Sequence, residues 1–380
     1  MKTQLQFLFT SLALLAGVCQ INAQVTNPVL ISFSQNGMLV CTNLQPGSVV
    51  SVQWASSLAG PWQSDWAALK TLGVGSNGSI TVSVPMFYRV LEVAAANAAP
   101  AGMVQIPAGS FTMGDTLDNL SDAIPTNTYL SQFYMDTNLV TYGFWKTVYT
   151  NALSKGYGFD DAGSGKATNH PVHSVNWYDC VKWSNARSQL AGLTPVYYLD
   201  AAFTQVYTNG DTNNLYVKWN ANGYRLPTEA EWEKAARGGV SGQRFPWGNT
   251  ISENQANYYT SPSPNPGSYI YDLGPYTGYN TNYTTGGTPY TSPVGSFPAN
   301  GYGLNDMAGN IYEWCWDWYG TPYGQPTTSN PTGAGPGSGT RVLRGGDWGF
   351  GASYARCAYR FNIVPVGNGT GVGFRCVCAF

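Results

Sequence analysis

Charge is scarce in this chain: 18 Lys and Arg and 20 Asp and Glu among 380 residues, with two histidines and a net charge of −2. No basic surface is available to follow a phosphate backbone, which excludes electrostatically driven nucleic-acid binding. The two histidines, His170 and His173, lie together just before a helical pattern. They cannot build a three-histidine metal centre, and a hydrogen-bonded structural role is expected for both. Cysteine is missing between Cys315 and Cys357, and no Cys-x-x-Cys pair occurs. That removes zinc ribbons and thioredoxin-like redox motifs. The longest apolar run, Leu5 to about Val18, falls short of the roughly 20 residues a spanning helix needs.

In place of charge the chain carries 45 Gly, 26 Tyr and 13 Trp. Few helix formers and many turn residues point to short strands joined by long ordered loops. Lys2, the apolar run behind it and Ile21-Asn22-Ala23 read as a signal peptide over 1–23, and so as a secreted or periplasmic protein. Val18 is bulkier than a lipoprotein cleavage before Cys19 tolerates. Residues 24–96 hold β-branched, partly alternating runs split by Asn-Gly and Pro-Gly turns, which predicts a small all-β, sandwich-like module. An Ala-rich linker closes at 97–101, and the remaining 102–380 form the main domain.

Within that domain the spacing of Trp145, Val148, Tyr149 and Ala152 after Thr141 predicts one helix. A second places Trp177, Cys180, Val181 and Ser184 on one face. A third starts at the capping box Thr228-Glu229-Ala230-Glu231 and ends at Gly238-Gly239. Beyond the signal peptide six cysteines remain, an even set for an oxidising compartment. Bridges Cys180–Cys376 and Cys315–Cys357 are the expected pairs. The first would close a long loop, stabilising by about 4–5 kcal/mol in the chain-entropy treatment.

The stretch Gly301–Tyr319 concentrates the chemistry: Asp306, Asn310, Glu313 and Asp317 punctuate an aromatic run that also holds Cys315. Carboxylates among aromatics must be paired, hydrogen-bonded or bound to a metal. Three further blocks accompany it: Gly223–Glu233, Phe245-Pro246-Trp247-Gly248-Asn249, and Arg341–Trp348 with Gly373-Phe374-Arg375-Cys376-Val377. Together, in order over 102–380, they resemble the sulfatase-modifying factor or formylglycine-generating-enzyme family. The resemblance implies an α+β, C-type-lectin-like domain with little regular secondary structure.

The family's best-known members oxidise a sulfatase cysteine with copper and dioxygen, using two cysteines soon after the Gly-Gly of the last block. The matching positions are Phe350 and Ala355, or Asp347 and Ala352 counted from the other side. Without a thiolate pair a soft Cu(I) site is not expected. A second branch of the family works at a three-histidine iron in a separate helical domain, which this chain lacks. The resemblance also implies a Ca²⁺ held by Asp306, the Gly309 and Ile311 carbonyls and Glu313. This suits a hard cation that takes six to eight oxygens. A second Ca²⁺ would use Asn257 and the Tyr258 carbonyl, but its acid falls at Gly286, with Asp272 the nearest carboxylate. The Tyr- and Asn-rich, nearly uncharged segment 252–298 has the side chains of a carbohydrate or peptide surface. The expected function is a calcium-stabilised binding or scaffolding domain for an extracellular protein or glycan. The alternative is a formylglycine-forming oxidase, or another oxidation, acting through a divergent site.

Overall fold

The computed structural model describes residues 99–379 except 118–120, 122, 265–268, 322 and 324–327, and before them the segments 29–33, 38–42, 49–54, 72–83 and 88–93. The expected signal peptide (1–23), residues 97 and 98 of the expected linker and the side chain of Cys41 lie outside the described residues. Contacts divide the chain into Met1–Ala98 and Ala99–Phe380. In the first unit the β-branched runs form β1 (Val29–Phe33), β2 (Met38–Thr42), β3 (Val49–Trp54), β4 (Leu72–Gly73), β5 (Ile80–Ser83) and β6 (Tyr88–Val93). They pair as two three-stranded antiparallel sheets, β1-β2-β5 and β4-β3-β6.

The second unit opens with β7 (Met103–Ile106), β8 (Gly109–Met113), β9 (Thr126–Leu130) and β10 (Phe133–Asp136). Helices α1 (Tyr142–Ser154) and α2 (Trp177–Leu190) follow, then β11 (Tyr197–Tyr198), β12 (Tyr216–Val217), β13 (Tyr224–Arg225) and α3 (Glu229–Ala236). The last part holds β14 (Tyr312–Trp318), β15 (Arg341–Arg344), β16 (Phe361–Ile363), β17 (Val372–Gly373) and β18 (Val377–Ala379). One sheet runs β13-β18-β10-β7 and another β16-β15-β14-β17, with β14 and β17 parallel.

Local chemistry sets the helix starts. Thr141 caps α1 by accepting the Phe144 amide at 3.2 Å, and Asn176 caps α2 by accepting that of Asp179 at 2.9 Å. In α3 Thr228 and Glu231 exchange both bonds of the capping box. Burial of α2 exceeds the one-faced expectation, since every residue from Trp177 to Ser188 is buried. Its polar side chains are paired inside: Lys182 reaches Asp179 at 3.0 Å, and Asn185 donates to the Tyr197 and Tyr207 carbonyls. Trp145 and Trp183 stack with ring centroids 5.6 Å apart at the junction of α1 and α2. Both histidines are structural: His170 Nδ1 meets Thr291 Oγ1 at 2.9 Å and His173 Nδ1 meets Ser174 Oγ at 3.0 Å.

The two expected disulfides are absent. Cys180, Cys315, Cys357, Cys376 and Cys378 are buried free thiols. Each behaves as a small apolar side chain, and burial pushes the Cys357 and Cys376 thiols up to about 12. Their sulfurs have other neighbours: Cys376 Sγ lies 3.5 Å from Ser184 Oγ, and Cys378 Sγ 3.7 Å from Met103 Sδ. Alkylation in denaturant without reductant should therefore label all five positions in a peptide mass map. A cross-linked Cys180–Cys376 or Cys315–Cys357 peptide would refute the free-thiol arrangement.

Candidate functional site

The stretch before β14 folds tightly because several residues take left-handed backbone angles: Gly303 (φ 83°), Asp306 (55°), Gly309 (75°) and Asn310 (67°). Gly309 is obligatory, since a Cβ there would stand 2.3 Å from the Asn257 carbonyl oxygen. Its amide donates to the Gly345 carbonyl at 2.7 Å, and the Asn310 amide to that of Asn257 at 2.8 Å. The loop is thus pinned between the 257 segment and the Gly-Gly turn after β15.

Asp306 is 6% exposed. Its Oδ2 accepts the Gly295 amide at 2.7 Å, while Oδ1 has no well-formed hydrogen bond, the Asn310 side chain nearby contributing only a weak one. Burial raises its pKa to about 6, against the opposing Gly295 amide and Arg375 charge. Beside it lies a cavity of about 10 Å³ lined by Trp247, Gln255, Asn300, Leu304 and Met307 among others, room for one water-sized occupant. Glu313, the other implied carboxylate ligand, is fully buried and committed elsewhere: Arg375 donates to Oε2 at 2.7 Å and to Oε1 at 2.9 Å. Arg375 also donates to the Asn305 carbonyl at 2.9 Å and to that of Asp306 at 3.3 Å. Of the two implied side-chain ligands, Asp306 fits a cation and Glu313 does not.

The implied second site is engaged internally. The Asn257 amide donates to the Tyr290 carbonyl at 2.8 Å, and the Tyr258 hydroxyl to Asp272 at 2.6 Å. Asp272 also accepts the Ser261 and Gly274 amides, and Gly286, where the acid would stand, is exposed. Among the described residues no cluster of three His, Cys, Asp or Glu side chains is arranged to hold a metal.

At the positions that match the family's cysteines, Ala355 is buried in a short 3₁₀ turn, and Phe350 is 40% exposed. The Phe350 ring sits 4.8 Å from Tyr354 and 5.8 Å from Tyr312. Next to it a set of rings is connected by direct contacts: Tyr259–Tyr279 at 5.0 Å, Tyr279–Tyr290 at 4.8 Å and Tyr290–Trp348 at 5.3 Å. The Tyr259 amide donates to the Phe350 carbonyl at 3.0 Å, which joins the 252–298 segment to this turn. Tyr279 is 38% exposed, and Tyr259, Tyr290 and Trp348 are half-buried. Sequence reasoning singled out the tyrosines but not Trp348, which comes from a separate block. The only signal for it was an aromatic two residues after the Gly-Gly turn. Beneath lies Asp347, whose Oδ1 accepts the Gly349 amide at 2.8 Å. Its other side faces Gly371, where a Cβ would come within 1.9 Å of Oδ2. With no cation beside it, burial raises the Asp347 pKa to about 7.

Solved structures of similar fold include Treponema denticola variable protein 1, 27% identical with a TM-score of 0.55, covering 79% of this chain and 98% of that one. PvdO from Pseudomonas aeruginosa is 24% identical with a TM-score of 0.53, covering 73% of this chain and 94% of PvdO. These likenesses define the class as a C-type-lectin-like α+β domain. The chain belongs to the sulfatase-modifying factor enzyme 1-like domain family, which it matches over residues 89–380. Its relatives include the chaperone protein LppX of Paenibacillus barcinonensis, 32% identical over 258 residues (66% of this chain, 81% of LppX). The formylglycine-generating enzyme of Bos taurus is 32% identical over 304 residues (73% of this chain, 74% of the enzyme).

The raised Asp347 pKa has a signed consequence. A carboxyl held above its unfolded value favours the folded state at low pH, and this contribution is lost as pH rises from about 4 through about 7. Replacing Asp347 by Asn should therefore raise the melting temperature at pH 8.5 and leave it nearly unchanged at pH 4, with a gain of at most about 4 kcal/mol. A pH-independent difference between the two proteins would show that Asp347 does not titrate in this range.

Proposed function

We propose that the chain is a secreted or periplasmic, calcium-stabilised binding domain. Its ligand docks on the surface formed by Tyr259, Tyr279, Tyr290, Trp348 and Phe350. The observation that carries this reading is the run of contacting rings Tyr259, Tyr279, Tyr290 and Trp348, tied by backbone to Phe350 and flanked by Lys166 over the Tyr290 ring, at the place where the family's oxidising members hold their cysteine pair. With Phe350 and Ala355 there, no thiolate stands ready to bind copper or capture a substrate cysteine. Half-buried rings, fixed by their neighbours, offer stacking area at low entropic cost. A glycan is the ligand this surface suits best. A protein partner is the second reading, favoured by the relative named as a chaperone.

Calcium would be held by Asp306 with the carbonyls of Gly309 and Ile311, while Glu313 stays with Arg375. Bound there, the cation would neutralise the buried Asp306 oxygen that lacks a well-formed hydrogen bond. Its role is to rigidify the loop that carries Asn310 and, through Gly345, the turn bearing Trp348.

Thermal melts with calcium or with EGTA test the metal. Calcium at a hundredfold excess over Kd should stabilise the protein by about 2.7 kcal/mol, and Asp306→Ala should abolish the difference. Superimposable melts of the unaltered protein would remove calcium from the account. A glycan array tests the surface: the double substitution Tyr279→Ala/Trp348→Ala should cut retention about tenfold or more, the loss of at least one stacking contact. Incubation with a Cys-x-Pro-x-Arg peptide, copper and oxygen should return the peptide at unchanged mass. Aldehyde formation would overturn the binding reading in favour of the oxidase.

A further inference from the structure

A cavity of about 230 Å³ is lined by Asp136, Asn138, Leu139, Val140, Phe144 and Arg187. The exposed Ala101 and Gly102 also line it and Phe144 is 39% exposed, so it is open to solvent. An apolar cavity of about 150 Å³ already admits benzene, so this one has room for a substituted ring. Its apolar part is Leu139, Val140 and the Phe144 ring, which meets Trp183 edge-on at 5.3 Å. Its polar part is Asn138 and the pair Arg187–Asp136, whose members are 6% and 7% exposed.

The polar part has donors in surplus. Arg187 Nη1 and Nη2 donate to the Asp136 carboxylate at 2.6 and 2.8 Å, and a third contact reaches the Cys376 sulfur. A guanidinium has five N–H groups, so two are left without a described partner. Asn138 accepts from Asn305 through Oδ1 at 3.0 Å, which leaves its own amide protons to donate. Acceptors around the cavity are taken: the Gly102 carbonyl by the Thr137 amide and the Val140 carbonyl by the Val172 amide, both at 2.9 Å, and the Thr141 hydroxyl by the Phe144 amide. Charge is balanced as well. Burial works against the Arg187 cation, but Asp136 outweighs it and holds the pKa above the usual arginine value. A ligand carboxylate would bring a second anion to one buried guanidinium. An ammonium would meet carboxylate oxygens already bonded to Arg187 and the Cys376 amide. A neutral acceptor meets neither obstacle.

We infer that this cavity binds a small neutral molecule carrying an amide carbonyl on a ring-sized apolar body. The carbonyl accepts from Arg187 and Asn138, while the ring lies against Leu139, Val140 and Phe144. None of these residues belongs to the loop before β14 or to the surface around Trp348. Failure here leaves the proposed function standing, and the reverse also holds.

Saturation-transfer NMR and titration calorimetry on the whole protein test the inference with four probes built on one ring: benzamide, benzoate, benzylamine and toluene. Benzamide should bind with a Kd of about 1 mM or tighter, as a fragment of this size can. Each of the others should be weaker by about tenfold or more. Phe144→Ala, a change at an exposed ring, should weaken benzamide about tenfold with the melting temperature nearly unchanged. The double substitution Tyr279→Ala/Trp348→Ala should leave benzamide binding as it is, which separates this cavity from the aromatic surface. Arg187→Lys keeps a cation beside Asp136 but removes the planar fork, and should erase the preference for benzamide over toluene. Should that buried variant fail to fold, the probe series and Phe144→Ala still decide. No binding of benzamide, equal binding of benzoate, benzylamine or toluene, an unaffected Phe144→Ala variant, or loss of binding in the Tyr279→Ala/Trp348→Ala protein would each overturn the assignment.

Discussion

Everything in the second unit hangs on buried pairs between glutamate and arginine. Helix α3 supplies Glu229, Glu231 and Glu233, which meet Arg360, Arg225 and both Arg237 and Arg344 at 2.5–2.7 Å. Strand β14 adds Glu313 against Arg375. These pairs join α3, β13, β15 and the segments on either side of β17 across more than a hundred residues of sequence. Removing either partner of such a pair typically costs 3–5 kcal/mol, because the survivor is a naked buried charge. A chain with few charges has placed many of them inside, where geometry fixes which segment meets which. The loop before β14 inherits this constraint: Arg375 holds Glu313 in the core and leaves Asp306 with its Oδ2 on the Gly295 amide.

The second organising feature is aromatic packing with cations laid over it. Arg187 lies 3.8 Å over Tyr224 while pairing with Asp136 at 2.6 and 2.8 Å. Arg341 takes the same kind of stacking, over Trp177 and Trp318, without the acid. The comparison isolates what a counter-ion adds: both guanidiniums have π contacts, but only Arg187 sets two donors on a carboxylate. Surface rings follow the same logic, with Tyr279, Tyr290 and Trp348 fixed by contact with each other as well as by partial burial.

Much of the fold was legible because its signals are local. A cap such as Thr228 with Glu231, the spacing of Trp145, Val148 and Ala152, and the turn glycines all act within a few residues. The family's blocks then placed those pieces in one architecture. The candidate site was legible in position and only partly in role. Asp306 stands as an underserved carboxylate, but the partner of Glu313 lies 62 residues further on, and no local rule pairs them. The all-round burial of α2 was hidden for the same reason, since Lys182 and Asn185 become core residues only when Asp179 and the carbonyls of Tyr197 and Tyr207 reach them. The cysteines show the opposite error. An even count suggested bridges, yet among the described residues packing gave each of five thiols a buried place of its own.

The place of β18 bears on how this unit comes into being. Its three residues, Val377–Ala379, lie between β10 and β13, inside the sheet rather than at its edge. Until they arrive, β10 and β13 present unpaired backbone to solvent, and Arg375 just before them cannot neutralise Glu313. The unit therefore gains these hydrogen bonds and the fully buried Arg375–Glu313 pair only when β18 closes between β10 and β13. Such long-range closure makes assembly a late, concerted step, in which the first strands of the unit wait for the last.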